Sequence, residues 1–195
     1  MVRNGWWLLL LCLWLTACTG EPREVGQKFV GTDISAATFG NPLALTDHNG
    51  QARRLSDFRG KVVALFFGYS QCPDVCPTTM SDLVHALKLL GGRRAEVQVL
   101  FVTLDPERDT QPLLAQYVPA FDASFVGLYG DTATTAQVAR DFKVFYQKQQ
   151  TGGASGYTID HSAGVYVFDK NGALRVYLGH GQKPQDIAHD LQLLM

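Results

Sequence analysis

In the stretch GYSQCPDVCPTTMSDL, residues 68–83, Cys72 and Cys76 stand four residues apart where an apolar run gives way to a helical pattern. Three chemistries suit such a pair: a structural bridge, a redox couple, or two arms of a metal site. One helical turn and a little more brings two Cβ atoms within ~5–6 Å. That separation fits a disulfide and equally fits two sulfurs on one ion. Free N–H groups and the dipole at a helix start favour thiolate, which both redox and metal chemistry require. A structural staple is the weakest of the three, because closing so short a loop removes little chain entropy.

Two thiolates leave a coordination shell incomplete, and the sequence holds five histidines. His48 falls in a hairpin turn, His85 on the polar side of a helix, His180 in a Gly-His-Gly turn and His189 beside Asp190 in the last helix. All four read as surface or structural groups. His161, in YTIDHS, ends a glycine-rich stretch just before the strand Val165–Phe168, where it faces the cysteine turn across the sheet's end. Cys72, Cys76 and His161 would make a three-coordinate soft site suited to Cu(I), or to Cu(II) with a further donor; Zn(II) is the usual competitor. Asp160 or a backbone carbonyl would orient the other ring nitrogen. A third cluster, TLDPERDT at 103–110, reads as a turn in which Pro106 fixes the exit and Asp109 or Thr110 caps the next helix. It also borders the presumed site, so Asp105 and Arg108 are candidates to steer a partner or tune the thiols. Phe66, Phe67 and Tyr69 read as core and rim.

These groups need a scaffold. KVVALFFGY (61–69) and VQVLFVTL (97–104) are continuous apolar runs, the mark of strands buried on both faces. Asn49-Gly50 between two short runs predicts a tight N-terminal hairpin. Pro77 suits a first helical turn, with Met80, Leu83, Leu87 and Leu90 as the apolar stripe and Gly91-Gly92 as the stop. Further helices are predicted over 111–120, 131–142 and from Pro184 onward, with strands at 125–129, 165–168 and 173–178. Residues 147–160, with Thr-Gly-Gly-Ala-Ser-Gly, predict a long mobile connection that lets His161 swing away. This order is that of an α/β thioredoxin-like fold: a central mixed sheet flanked by helices, with an N-terminal β-hairpin extension. Active groups in such sheets gather beyond the carboxyl ends of the strands, where Tyr69 leads to Cys72.

At 195 residues and 46% apolar content, the chain suits one compact domain, taken as 28–195. Its net charge is −1, and basic residues come at most in pairs, too few for a phosphate-tracking stripe; no nucleic acid partner is expected. The start, MVRNGWWLLLLCLWLTACTG, has an early cation and an apolar run from Trp6 to Leu15, shorter than the ~18 residues of a spanning helix. Residues 1–17 read as a lipoprotein signal peptide, Leu15-Thr16-Ala17-Cys18 as a bacterial lipobox, and 18–27 as a tether. Cys12 is then discarded and Cys18 lipidated, which leaves Cys72 and Cys76 to the domain. The domain would sit on the periplasmic side of a bacterial membrane, in an oxidising compartment.

The three stretches GYSQCPDVCP, TLDPERDT and YTIDHS, in this order and spacing, resemble the hallmarks of the Sco/SenC family of copper-binding proteins. The resemblance covers the domain from about Leu43 onward. It implies a thioredoxin-like fold and copper held by Cys72, Cys76 and His161. It also implies delivery of that copper to the binuclear centre in subunit II of cytochrome c oxidase, or reduction of that centre's cysteines. A copper donor and an upstream thiol reductant follow, since a disulfide cannot ligate through thiolates. Two rivals stand beside this reading. One is a thiol–disulfide oxidoreductase using Cys72 and Cys76 as its redox-active pair, although such enzymes favour CxxC. The other is a redox or copper sensor.

Overall fold

A computed structural model describes residues 28–40, 43–151 and 156–195. The signal peptide at 1–17, the lipobox cysteine Cys18 and the tether at 18–27 lie outside the described residues.

The two apolar runs become the centre of the sheet. Strand β4 (Val62–Gly68) pairs in parallel with β5 (Val97–Thr103), and all residues of both are buried. Alternation along β4 divides its side chains between two cores: Val62, Ala64 and Phe66 face one, while Val63, Leu65 and Phe67 face the other. The first core is closed by α1 (Val75–Leu89), α2 (Gln111–Tyr117) and α4 (Pro184–Gln192) through Met80, Leu83, Leu114, Ile187 and Leu191. The second is closed by α3 (Thr132–Asp141) through Val138 and Ala139.

Around this centre the sheet runs β1-β10-β9-β4-β5-β6-β2-β3. Here β1 is Thr32–Asp33, β2 Ala44–Asp47, β3 Ala52–Arg54, β6 Val126–Tyr129, β9 Val165–Phe168 and β10 Leu174–Leu178. β6 joins β5 in parallel and β9 joins β4 antiparallel, so the sheet is mixed. This is the thioredoxin-like arrangement that the element order predicts. The N-terminal hairpin β2–β3 extends it from β6, turning through Asn49-Gly50 with Gly50 at φ +82°. Asp47 organises that turn: its buried carboxylate accepts from the Asn49 and Gln51 N–H groups at 2.8 and 3.0 Å and from Arg53 Nε at 2.7 Å. Burial pushes its pKa up, but these donors outweigh burial and hold it below the usual carboxylate value.

One expectation is overturned. Within the span 147–160, expected as a long mobile connection, residues 147–150 and 157–160 are strand: β7 (Tyr146–Gln150) and β8 (Tyr157–His161) pair antiparallel as a separate two-stranded sheet. Tyr146 stands opposite His161 and Gln150 opposite Tyr157; residues 152–155 of the glycine-rich stretch lie outside the described residues. Most of β7 is exposed and polar (Gln147 to Gln150), so no hydrophobic period marks it; cross-strand pairing alone makes it a strand. His161 therefore stands at the base of a hairpin, not on a loose loop.

The chain's entry into the domain is fastened by the buried Asp190 of α4, which accepts from the N–H groups of Val30 and Gly31 at 2.8 and 2.7 Å and from Gln182 Nε2 at 3.2 Å. Asp190→Ala strips those donors of their partner and is expected to cost about 1–3 kcal/mol. Urea unfolding of the reduced protein measures this; an unchanged midpoint would contradict the role given to Asp190.

Candidate metal centre

The pairing of β4 with β9 sets where the site lies. Val63 stands opposite Phe168 and Phe66 opposite Val165, so the end of β4 lies beside the start of β9. Whatever follows Gly68 and whatever precedes Val165 must meet at that edge. The first segment carries Cys72 and Cys76; the second carries His161.

Cys72 lies just ahead of α1 and Cys76 in its first turn. The Cys72 sulfur accepts from the Cys76 backbone N–H at 3.4 Å, taking the place that a side-chain oxygen holds at an ordinary helix start. Behind Cys76 the packing leaves no room: a Cβ built on Gly68 would lie 2.8 Å from the Cys76 sulfur and 3.0 Å from the rings of Phe66 and Phe101. A glycine at the end of β4 thus admits the sulfur to the sheet's edge. Cys76 is fully buried, Cys72 half-buried, and both carry free thiols.

His161 Nε2 lies 3.4 Å from the Cys76 sulfur. Its Nδ1 donates to the Ser162 carbonyl at 2.9 Å, so Nε2 presents its lone pair to the sulfurs. The orienting partner is thus a backbone carbonyl, one of the two options read from the sequence, and not the exposed Asp160. The rings of Tyr69 and Phe66 stand edge-on to the imidazole at 6.0 and 6.2 Å, and the Tyr69 hydroxyl accepts from Ile159 N–H at 3.2 Å. Ligand atoms of Cys72, Cys76 and His161 lie within 4.8 Å of one another. Two sulfurs and one imidazole nitrogen at this range suit a soft ion in low coordination. Beside them opens a pocket of about 350 Å³ walled by Tyr69, Pro73, Val75 and Ile159.

The two sulfurs are electrostatically unequal. The Cys76 thiol donates to Cys72, and with help from the His161 ring and the backbone N–H groups of Cys76 and Asp74 this outweighs burial and lowers the Cys72 pKa to about 3. The thiolate so formed at Cys72, together with burial, pushes the Cys76 thiol up. Of the two, Cys72 is the readier to ionise.

The other predicted residues fall into place around this centre. Asp109 does not cap α2: its buried carboxylate accepts from the Ser70 N–H at 3.0 Å, the Ser70 hydroxyl, and the Thr103 hydroxyl at 2.6 Å. Thr110 occupies the N-cap position without a side-chain bond. Asp109 ties the turn that bears the cysteines to the end of β5, and burial pushes its pKa up. His48 is buried, its Nδ1 accepting from Gly127 N–H at 2.9 Å. His85 and His180 are exposed, and His189 lies near the Lys28 carbonyl at 3.3 Å. Sequence reasoning quoted the stretches that hold Tyr157 and Ser70 but missed their roles, which depend on contacts 52 and 39 residues away.

Comparison with known proteins agrees in kind. The SCO1/SenC family model matches residues 31–195. The chain is 33% identical over 181 residues to the mitochondrial SCO2 homolog of Bos taurus, covering 92% of this chain and 68% of that protein. Among solved structures it is similar to Bradyrhizobium japonicum ScoI with copper bound, with TM-score 0.73 and 36% identity over 80% of this chain and 99% of that one. It is similar also to apo Sco1 from Thermus thermophilus, with TM-score 0.71 and 39% identity over 86% and 98% of the two chains.

The inequality of the sulfurs is directly measurable. With its pKa lowered to about 3, Cys72 is already thiolate across pH 5–8, so its alkylation rate with iodoacetamide should be nearly flat over that range while Cys76 stays unmodified. An ordinary thiol gains about tenfold per pH unit there; such a rise at Cys72 would contradict the assignment.

Proposed function

Because the chain belongs to the SCO1/SenC family, we propose that it is a copper metallochaperone that serves the assembly of cytochrome c oxidase. The acceptor in this reading is the binuclear copper centre of subunit II. The observation that carries the proposal is the convergence of two sulfurs and the His161 imidazole within 4.8 Å. Its chemistry is soft and suits Cu(I), with Cu(II) accommodated by one added donor. The proposed setting is the periplasmic side of a bacterial membrane, with the domain held by a lipid on Cys18. The signal-like run of residues 6–15 and the lipobox support that setting. No described helix is long and apolar enough to cross a membrane.

The mechanism is ligand exchange. The Cys72 thiolate is the half-exposed first contact for an incoming ion, beside the open pocket. Cys76 then gives up the proton it shares with Cys72, and His161 Nε2 closes the third side. Each donor is positioned by the fold: Cys72 and Cys76 by the start of α1, His161 by its bond to the Ser162 carbonyl. Release reverses the order, an acceptor's soft ligands replacing these donors one at a time. A donor of copper and a reductant that keeps both thiols open are required partners.

The unequal sulfurs favour one second reading, a thiol–disulfide oxidoreductase. The Cys72 thiolate would attack a partner's disulfide to form a mixed disulfide, and Cys76 would then displace the partner's second sulfur as thiolate. The partner gains two electrons, and Cys72–Cys76 becomes a disulfide. That route makes no use of His161.

His161→Ala separates the two. In the copper reading it lowers Cu(I) affinity by more than the ~10–100-fold typical of losing an outer partner of a ligand; unchanged affinity alongside rapid reduction of a model disulfide would favour the oxidoreductase. A pH series is an independent check. Cys76 holds a proton at neutral pH and must lose it on loading, so apparent Cu(I) affinity should rise about tenfold per pH unit from 7 to 9 and fall as protons return. An affinity that stays level over that range would contradict two-sulfur ligation.

A further inference from the structure

The hairpin β7–β8 that delivers His161 pairs only with itself among the described strands, so something other than the main sheet must seat it. Tyr157, Ile159 and His161 are alternate residues of β8 and project to one face, the face turned towards the domain. Ile159 enters the core, and His161 meets the sulfurs. Tyr157, about 13 Å up the strand from His161, meets the turn that follows β5.

That turn is built to receive it. The Tyr157 hydroxyl donates to Asp105 Oδ1 at 2.7 Å, and Asp105 is fully buried. Arg108 Nε donates to the other oxygen of Asp105. Arg108 Nη1 donates to the Tyr157 carbonyl at 2.9 Å, and the guanidinium lies 3.7 Å from the centroid of the Tyr157 ring. One arginine thus grips the ring face and the backbone of the same residue while fixing the carboxylate that holds its hydroxyl. Lys148 of β7 adds an ion pair to Glu107 at 2.7 Å and lies 4.7 Å from the same ring.

We propose that Asp105, Arg108 and Tyr157 form a latch that positions His161 over the cysteine pair, and whose opening sets how fast the third ligand departs. The latch rests on the copper reading only for its effect on release; the seating of the hairpin stands apart from it. The seating depends on a buried charge-assisted pair and a stacked ring, both directional. A rim carboxylate meant to steer a partner would instead be exposed.

The test uses the full chain with Tyr157→Phe, which keeps the ring and removes only the hydroxyl, and with Arg108→Lys, which keeps the charge but loses the fork. Backbone amide exchange in the metal-free, reduced protein is followed at residues 157–161 and at the central strands. Release of Cu(I) to a competing chelator is followed in the loaded protein. Both variants should speed exchange in 157–161 by about tenfold, as loss of a charged-group hydrogen bond allows, leave β4 and β5 unchanged, and speed release by several-fold. Unchanged exchange in 157–161, or a uniform rise that includes β4 and β5, would overturn the latch. Faster exchange with unaltered release would overturn its control of the ligand. If the wild-type protein binds no copper, the functional reading fails, and the exchange measurement still decides whether the latch seats the hairpin.

Discussion

The site depends on one pairing at the centre of the sheet. β4 and β9 are neighbours and antiparallel, so the exit of one and the entrance of the other share an edge. Cys76 and His161, 85 residues apart in sequence, are brought to one edge of the sheet by that register. Slipping it by one residue would turn the side chains of β9 from one core to the other, and the close packing of both cores opposes that exchange. The core therefore fixes the site's geometry, and the supporting polar bonds refine it.

Those bonds work at the two ends of the same problem. Asp109 holds the turn that carries the cysteines by gripping Ser70, and the Asp105–Arg108–Tyr157 cluster holds the hairpin that carries the histidine. Both carboxylates come from the single stretch after β5, the strand beside β4. A short acidic turn thus serves as a common abutment for both halves of the centre. Both carboxylates are buried and hydrogen-bonded, Asp105 to Arg108 and Tyr157 and Asp109 to Ser70 and Thr103, so each organises its neighbours.

Much of this was legible in the sequence. The runs 61–69 and 97–104 announced the central strands because strands buried on both faces need unbroken apolar character. Asn49-Gly50 announced its hairpin through turn chemistry alone. The cysteine spacing and His161 announced a soft-donor set. The hairpin at 146–161 was not legible, since a solvent-exposed polar strand such as YQKQQ carries no burial period. Asp109 or Thr110 was read as the cap of the next helix; Thr110 takes the N-cap position, while Asp109 reaches across the fold, a choice the residue types alone do not make. Tyr157 stands in the quoted stretch YTIDHS, but its role was not legible, as its partners become neighbours only once β8 is laid beside the end of β5.

The central claim is that one soft ion is held by both sulfurs and by an imidazole. X-ray absorption at the copper K edge, on reduced protein loaded with one equivalent of Cu(I), reads that donor set without any substitution. Two sulfur scatterers and one imidazole nitrogen about a single copper are the predicted shell. A shell of sulfur alone, or one made of oxygen and nitrogen only, would contradict the account.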